Sequence, residues 1–391
     1  MTLHSNPMTS QPLPELLLLG PGPSPVPQRT LEALSRPLVG HLDPVFLSLM
    51  DGVQDDLRRL FATENRFTLP VSGTGSAGME ICLTNLVEPG DRVVVGVHGV
   101  FGSRIVDLVT RLGGEAVEVV SEFGRPLDIE GMVAAIRGGA TKLVALVHAE
   151  TSTGVLTDPV PITGAAAEVG AMTILDCVTS LGGAPVKIDE WGIDAAFSGT
   201  QKCLSVPPGL SPVTFSDRAL EKISGRGTPT PSWYLDASLL SGYWGGDRAY
   251  HHTAPISMVY ALAAGLEQVH EEGLPTRFDR HASVAAALYR GLEVLGLPCL
   301  VPAESRTPML TTALVPEGVD EVGLRGTIRE RHQIEIGGGL GALKGRVWRI
   351  GLMGHGARMT SVLRVLAAIG DVLHEAGQPV DTAAAMRAAL S

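Results

Sequence analysis

Lys202 stands in Phe197-Ser198-Gly199-Thr200-Gln201-Lys202, on a turn that leaves the short apolar run Ala195–Phe197 and is soon followed by Pro207-Pro208-Gly209. The chain has only five lysines against 25 arginines. A sequence that uses arginine for ordinary surface charge has a reason for each lysine it keeps. Only the lysine amine can add to an aldehyde, because a guanidinium stays protonated and delocalised. Asp176 ends the apolar run Met172–Leu175. A carboxylate at such a strand end can keep a heterocyclic nitrogen protonated, which turns the ring into an electron sink. Taken singly, each has a plainer reading: a loop lysine is equally a surface charge, and Asp176 equally the cap of a turn.

Val71-Ser72-Gly73-Thr74-Gly75-Ser76-Ala77-Gly78 follows the strand-like Phe67–Val71 and opens a helical stretch. Its glycines fit G-x-G-x-x-G, the dinucleotide-binding pattern. That pattern needs an acidic residue at the end of the next strand to hold a ribose hydroxyl. The next strand-like run, Arg92–Val97, ends instead in His98-Gly99-Val100. A nicotinamide-dependent oxidoreductase therefore rests on the glycines alone. A more general property survives: small residues let backbone N–H groups close on an oxyanion at a helix N-terminus, and Thr74 and Ser76 add hydroxyls. A plain loop-to-helix cap is the alternative. In this chain order, a phosphate cradle, a ring-nitrogen carboxylate and a lone lysine are the three fixed points of a pyridoxal phosphate site.

Such residues need a scaffold. Arg92–Val97, Lys142–Val147 and Met172–Leu175 are short and almost wholly apolar, as strands buried on both faces of a parallel sheet are. Gly102–Leu112, Ile129–Arg137 and Pro159–Val169 carry helical spacing between them. This alternation predicts an α/β sheet with right-handed crossovers. After residue 255 come two long helical patterns, Ile256–Glu271 and Arg277–Leu295. Met309–Val315, helical Glu321–Arg331, strand-like Val347–Ile350 and a helix near Thr360–Ala376 follow, which predicts a smaller α+β domain. The expected organisation is an N-terminal arm over residues 1–14, a large domain over 15–272 and a small C-terminal domain over 273–391.

The 391 residues are 45% apolar and 18% charged, with a formal charge of −11. That is enough apolar material for a sizeable core. The acidic balance repels polyanions, so neither nucleic acid nor an anionic membrane surface is an expected partner. Cys82, Cys177, Cys203 and Cys299 lie far apart with no C-x-x-C pair, which argues against a zinc ribbon or a disulfide scaffold and fits a reducing compartment. No apolar run reaches the ~18–20 residues that span a bilayer. Leu16–Leu19 is cut off by Gly20-Pro21 and has no basic segment before it, so a cytoplasmic protein is expected. His251-His252 lacks supporting carboxylates at ligand spacing, and no metal is expected.

Further segments then fall into one order over roughly residues 16–375: Gly20–Ser24, Ser72–Glu80, His148–Leu156, Asp176–Gly183, Ser198–Leu204, Tyr250–Pro255 and Trp348–Gly354. With these the chain resembles the class V aminotransferases of subgroup IV, in the branch of the alanine–glyoxylate and serine–pyruvate enzymes. The resemblance implies the fold type I architecture of pyridoxal-phosphate-dependent transferases: a large domain with a mainly parallel seven-stranded sheet, and a smaller C-terminal α+β domain. It implies Lys202 as the Schiff-base residue and Asp176 on the pyridine nitrogen. Val178 would pack on one ring face and Phe101 on the other, where the family often has Trp. Offset stacking by the smaller ring still contributes about 1 kcal/mol beyond burial. A core phenylalanine is the alternative for Phe101.

The same resemblance places the phosphate on Thr74, Gly75, Ser76 and Gln201, with Ser76 where relatives often have histidine. Thr151 would hydrogen-bond the phenolic oxygen. Tyr250 and Thr253 would reach the phosphate of the partner subunit, which implies a homodimer. Arg349 would take the substrate α-carboxylate, with Gly22 beside it; a structural ion pair is the alternative for a guanidinium on such an apolar strand. The implied activity is ping-pong transamination between a small amino acid, alanine or serine, and a small 2-oxo acid, glyoxylate or pyruvate. Two relatives of the same fold fit less well. A cysteine desulfurase would have histidines in place of Gln201 and Phe101 and a mobile nucleophilic cysteine. A phosphoserine aminotransferase would need further basic residues for a second phosphate.

Overall fold

The structure, a computed structural model, describes residues 13–391; of the arm expected over 1–14, all but the last two residues lie outside the described residues. Seven strands form one sheet in the order Phe67–Ser72, Leu210–Phe215, Ala195–Phe197, Met172–Asp176, Thr141–Val147, Arg92–Val97, Glu115–Val120. All neighbours run parallel except Leu210–Phe215, which is antiparallel to both of its own. The mainly parallel seven-stranded sheet is thus present. Helices such as Val100–Arg111, Ile129–Arg137 and Val160–Glu168 connect its strands, and the inner strands are buried along their length, as continuous apolar runs require.

Two of the seven strands are hard to see in the sequence. Leu210–Phe215 carries Pro212, which argues against an inner strand. In the sheet Pro212 lies opposite Pro70, and its carbonyl accepts from the Ser198 amide just beyond the end of short Ala195–Phe197. The N–H that Pro212 lacks would face the Ser198 carbonyl, just past the end of that short neighbour, and Ser211 Oγ donates to this carbonyl instead. Glu115–Val120 alternates exposed and half-buried residues at the sheet edge, so it shows no buried-strand signature.

Every parallel strand ends on the same edge of the sheet, where open α/β sheets hold their ligands. From that edge Ser72 leads to Thr74–Ser76, Val97 to Phe101, Val147 to Thr151 and Phe197 to Lys202, while Asp176 is itself the last residue of its strand. A second apolar cluster is built from Leu19 and residues between Val284 and Ala389, around Trp348 and Ile350. Its strand Val347–Gly351 pairs antiparallel with Leu310–Leu314 and Gly337–Gly338. Leu17–Leu18 joins this body by parallel pairing with Ile334–Glu335. From there Gly20–Ser24 runs to the main sheet, where the Ser24 amide donates to the Gln201 carbonyl at 2.8 Å. Among the described residues no helix is long and apolar enough to cross a membrane.

Candidate active site

Lys202 is 8% exposed, on the turn after Ala195–Phe197. Its Nζ donates to the Pro21 carbonyl. Ser24 Oγ donates to the Lys202 carbonyl at 2.6 Å, which pins the turn from the N-terminal side. Burial lowers the amine to about 8, so much more of it is neutral near neutrality than of a surface lysine. A neutral, held amine is a nucleophile.

Asp176 is 4% exposed and accepts the Val178 N–H on Oδ1 at 2.9 Å. Among the described residues no donor takes its other oxygen. Burial pushes this carboxyl up to about 7, against the pull of the Val178 N–H. A protonated ring nitrogen set against the free oxygen would restore the ionised form, since an adjacent opposite charge favours it.

The helix Gly75–Leu86 starts beside both groups. Thr74 is its N-cap residue but makes no side-chain capping bond, which leaves the first N–H groups of the helix to an incoming anion. A Cβ on Gly75 would lie 3.0 Å from Val178 Cγ2, so the backbone can approach this closely only as glycine. Gln201 Oε1 is buried without a hydrogen-bond partner. An amide that turns over presents its N–H groups at the same spot.

These residues share one cavity of ≈190 Å³, walled by Thr74, Gly75, Ser76, Phe101, Asp176, Val178, Gln201 and Lys202. Met79, Arg104 and Phe197 complete the wall and were not anticipated from the sequence. Helical spacing was the available signal: Met79 stands four residues after Gly75, and Arg104 three after Phe101. The Arg104 guanidinium lies over the Phe101 ring, 4.8 Å from its centroid. None of the four cysteines lines this cavity.

Thr151 and Arg349, also expected at the site, are not part of this wall. Thr151 is buried, and its hydroxyl shares a hydrogen bond of 2.8 Å with that of Thr179. Arg349 is 6% exposed; its Nη1 donates to the Thr151 carbonyl at 3.0 Å and its Nε to the Gly338 carbonyl at 2.7 Å. No carboxylate among the described residues forms a salt bridge with it, so the structural ion pair considered for this position is absent there. Burial lowers this guanidinium to about 10. A buried cation in that condition is stabilised by an anionic ligand.

Gly22 lies against the Lys202 side chain with φ +112°, and a Cβ there would sit 2.7 Å from Lys202 Nζ. Gly22→Ala is therefore expected to displace the amine and lower turnover by about tenfold or more while the protein stays folded. Steady-state kinetics beside a thermal melt would check this; unchanged turnover would show that the loop does not register the lysine.

Tyr250 and Thr253 are not brought to the cavity of their own chain. Both are exposed, with Tyr250 packed against His41 at 5.2 Å between ring centroids. The segment is tied back to the cradle strand by a 3.0 Å hydrogen bond between His252 Nε2 and Ser72 Oγ.

Known proteins with this arrangement are numerous. The crystal structure of ureidoglycine–glyoxylate aminotransferase from Bacillus subtilis superposes with a TM-score of 0.95, at 39% identity, over 97% of this chain and 98% of that one. An alanine–glyoxylate aminotransferase structure from Nostoc sp. superposes at 0.92, with 44% identity, over 95% and 98%. The alanine–glyoxylate aminotransferase of Callithrix jacchus is 39% identical over 92% of this chain and 88% of its own. The fold is that of the fold type I pyridoxal-phosphate-dependent transferases, with its α+β region at the C-terminal end. The model of the class-V aminotransferases matches residues 17–349, and the chain belongs to that family.

Proposed function

We propose that this chain is a pyridoxal-phosphate-dependent transaminase that moves the amino group of a small amino acid to glyoxylate, acting as a homodimer in the cytoplasm. Lys202 carries the proposal: a buried amine, lowered to about 8, in the wall of the cavity that also holds an uncapped helix start and Asp176. The cavity fits the cofactor at three points. The helix start at Gly75 suits a phosphate, the unpartnered amide of Gln201 suits a further anion contact, and the free Asp176 oxygen suits a ring N–H.

When bound, pyridoxal phosphate supplies an aldehyde for amine exchange and a ring that accepts the electron pair left by the departing α-proton. Lys202 Nζ would hold its aldehyde carbon, would give up that place to a substrate amine, and would then carry the proton lost from the substrate α-carbon as general base and acid. Asp176 would hold the proton on the ring nitrogen. Val178 and Phe101 would pack on the ring, and Thr151 would donate to the phenolic oxygen. Thr74, Gly75, Ser76 and Gln201 would hold the phosphate. Arg349, short of a carboxylate, takes the substrate's own in its planar fork, with Gly22 beside it.

Glyoxylate is shared by the names of the relatives above, and supports this acceptor over pyruvate. The donor proposed is alanine or serine. A second donor, ureidoglycine, is favoured by the likeness to the Bacillus subtilis enzyme. Glycine formation from glyoxylate with each of these donors separates the two; turnover with glutamate alone would overturn both. Arg349→Ala should raise KM for amino and oxo acid alike by about 10–100-fold, as loss of a charged hydrogen-bond pair does, with a smaller change in kcat.

The dimer is supported by exposed apolar rings beside the Tyr250–Thr253 segment. Trp233 is 64% and Tyr250 61% exposed, and Trp233 stacks on His251 at 4.3 Å. Apolar surface of that kind is best explained by a covering partner. Four unpaired cysteines support a reducing compartment.

A further inference from the structure

Glu150 takes no part in the chemistry above, yet it lies fully buried beneath it. The helix Val100–Arg111, which carries Phe101, begins after Gly99 and so has no local side chain to cap it. Its first amides are capped from elsewhere in the chain. One Glu150 oxygen accepts the Phe101 N–H at 3.1 Å and the Gly102 N–H at 3.4 Å. The other accepts the Ser152 N–H at 3.0 Å and Ser152 Oγ at 2.6 Å. Ser152 Oγ in turn accepts the Val100 N–H at 2.9 Å. Gly99 leaves the room this needs, because a Cβ there would strike both Glu150 and Ser152. Between these two capping residues stands Thr151, whose carbonyl holds Arg349.

We propose that Glu150 is a positioning residue, resting on the function proposed above: it sets Phe101 against the cofactor ring and, through Thr151, sets Arg349 for the substrate carboxylate. Four donors converge on one carboxylate; burial raises its pKa, and the hydrogen bonds from Ser152, Gly102 and Phe101 pull the other way, towards the ionised form. Bonds to a charged acceptor are shorter and stronger than neutral ones, and a negative charge at a helix N-terminus gains from the helix dipole. The carboxylate also acts electrostatically on Asp176, Lys202 and Arg349, so its charge is felt by the three groups that hold cofactor and substrate.

Glu150→Gln keeps the shape and removes the charge, and it turns one N–H₂ group towards the donors of Ser152. The variant should fold, bind pyridoxal phosphate on the order of tenfold more weakly, and change the circular dichroism of the bound chromophore, which reports ring orientation. KM for the amino acid should rise severalfold with a smaller change in kcat. A purely structural cap would shift the thermal midpoint and leave these three readouts alone. If Glu150→Gln does not fold, Ser152→Ala removes one donor to Glu150 and the acceptor of the Val100 N–H, and should move the same readouts in the same direction by less. Unchanged cofactor affinity, dichroism and KM in a folded variant would overturn the proposal while leaving the proposed function intact. An unmodified protein that binds no pyridoxal phosphate would instead overturn the function itself, and this role for Glu150 with it.

Discussion

Lys202→Ala should abolish transamination, lowering turnover by at least about a thousandfold, because in the proposed chemistry one side chain is both the covalent anchor and the general base. The variant should remain folded, since the rest of its turn is held by Ser24 through backbone atoms that the substitution keeps. Reduction of the pyridoxal-phosphate-loaded protein with borohydride, followed by peptide mapping, would place the label on Lys202 and find none in the variant. A variant retaining the unmodified rate would sink the proposed chemistry outright. The same amine predicts a pH signature. Burial lowers it to about 8, so its neutral fraction grows as pH rises towards that value. Attachment of pyridoxal phosphate to cofactor-free protein should therefore climb roughly tenfold per pH unit below the pKa and level off above it. A surface lysine would keep climbing to roughly pH 10.4.

Asp176→Asn should cost about 10²- to 10⁴-fold in kcat while the cofactor remains attached. A neutral amide offers no charge to keep the ring nitrogen protonated, so the electron pair left at the α-carbon is poorly accommodated. The substitution has an opposite effect on the cofactor-free protein. Burial raises the Asp176 carboxyl from its ordinary 3.8 to about 7. Its contribution to stability is thus fully present below the unfolded-state value and is lost as pH rises through the folded-state value. At pH 8 the cofactor-free Asn variant should melt above the unmodified protein, and near pH 4 the difference should vanish. Equal melting points at both pH values would show that Asp176 is not desolvated. Sites that bind charge commonly trade stability for it in this way.

Much of this was legible without coordinates. The strands Arg92–Val97 and Ala195–Phe197 and the helix Ile129–Arg137 are bounded in the structure as their apolar runs and spacing suggest. Leu210–Phe215 was not legible, because Pro212 contradicts an inner strand unless one knows how short its neighbour is. Glu115–Val120 was not, because an edge strand need not be apolar. Of the wall of the cavity, eight residues were legible in motifs, whereas Met79, Arg104 and Phe197 take their place by helical spacing or at a strand end beside them.

The sequence by itself determined which side chains can react. Scarcity of lysine, the turn around Lys202, the strand-end Asp176 and the small-residue helix start are local properties, and local chemistry is written in residue type and spacing. Only the tertiary structure decided how these groups face one another. That Arg349 forms no salt bridge among the described residues, that its guanidinium rests on the Thr151 carbonyl, and that Glu150 caps a helix begun some fifty residues earlier all follow from sheet register and tertiary packing. Such contacts join residues distant along the chain, and no short-range pattern specifies the separation between them.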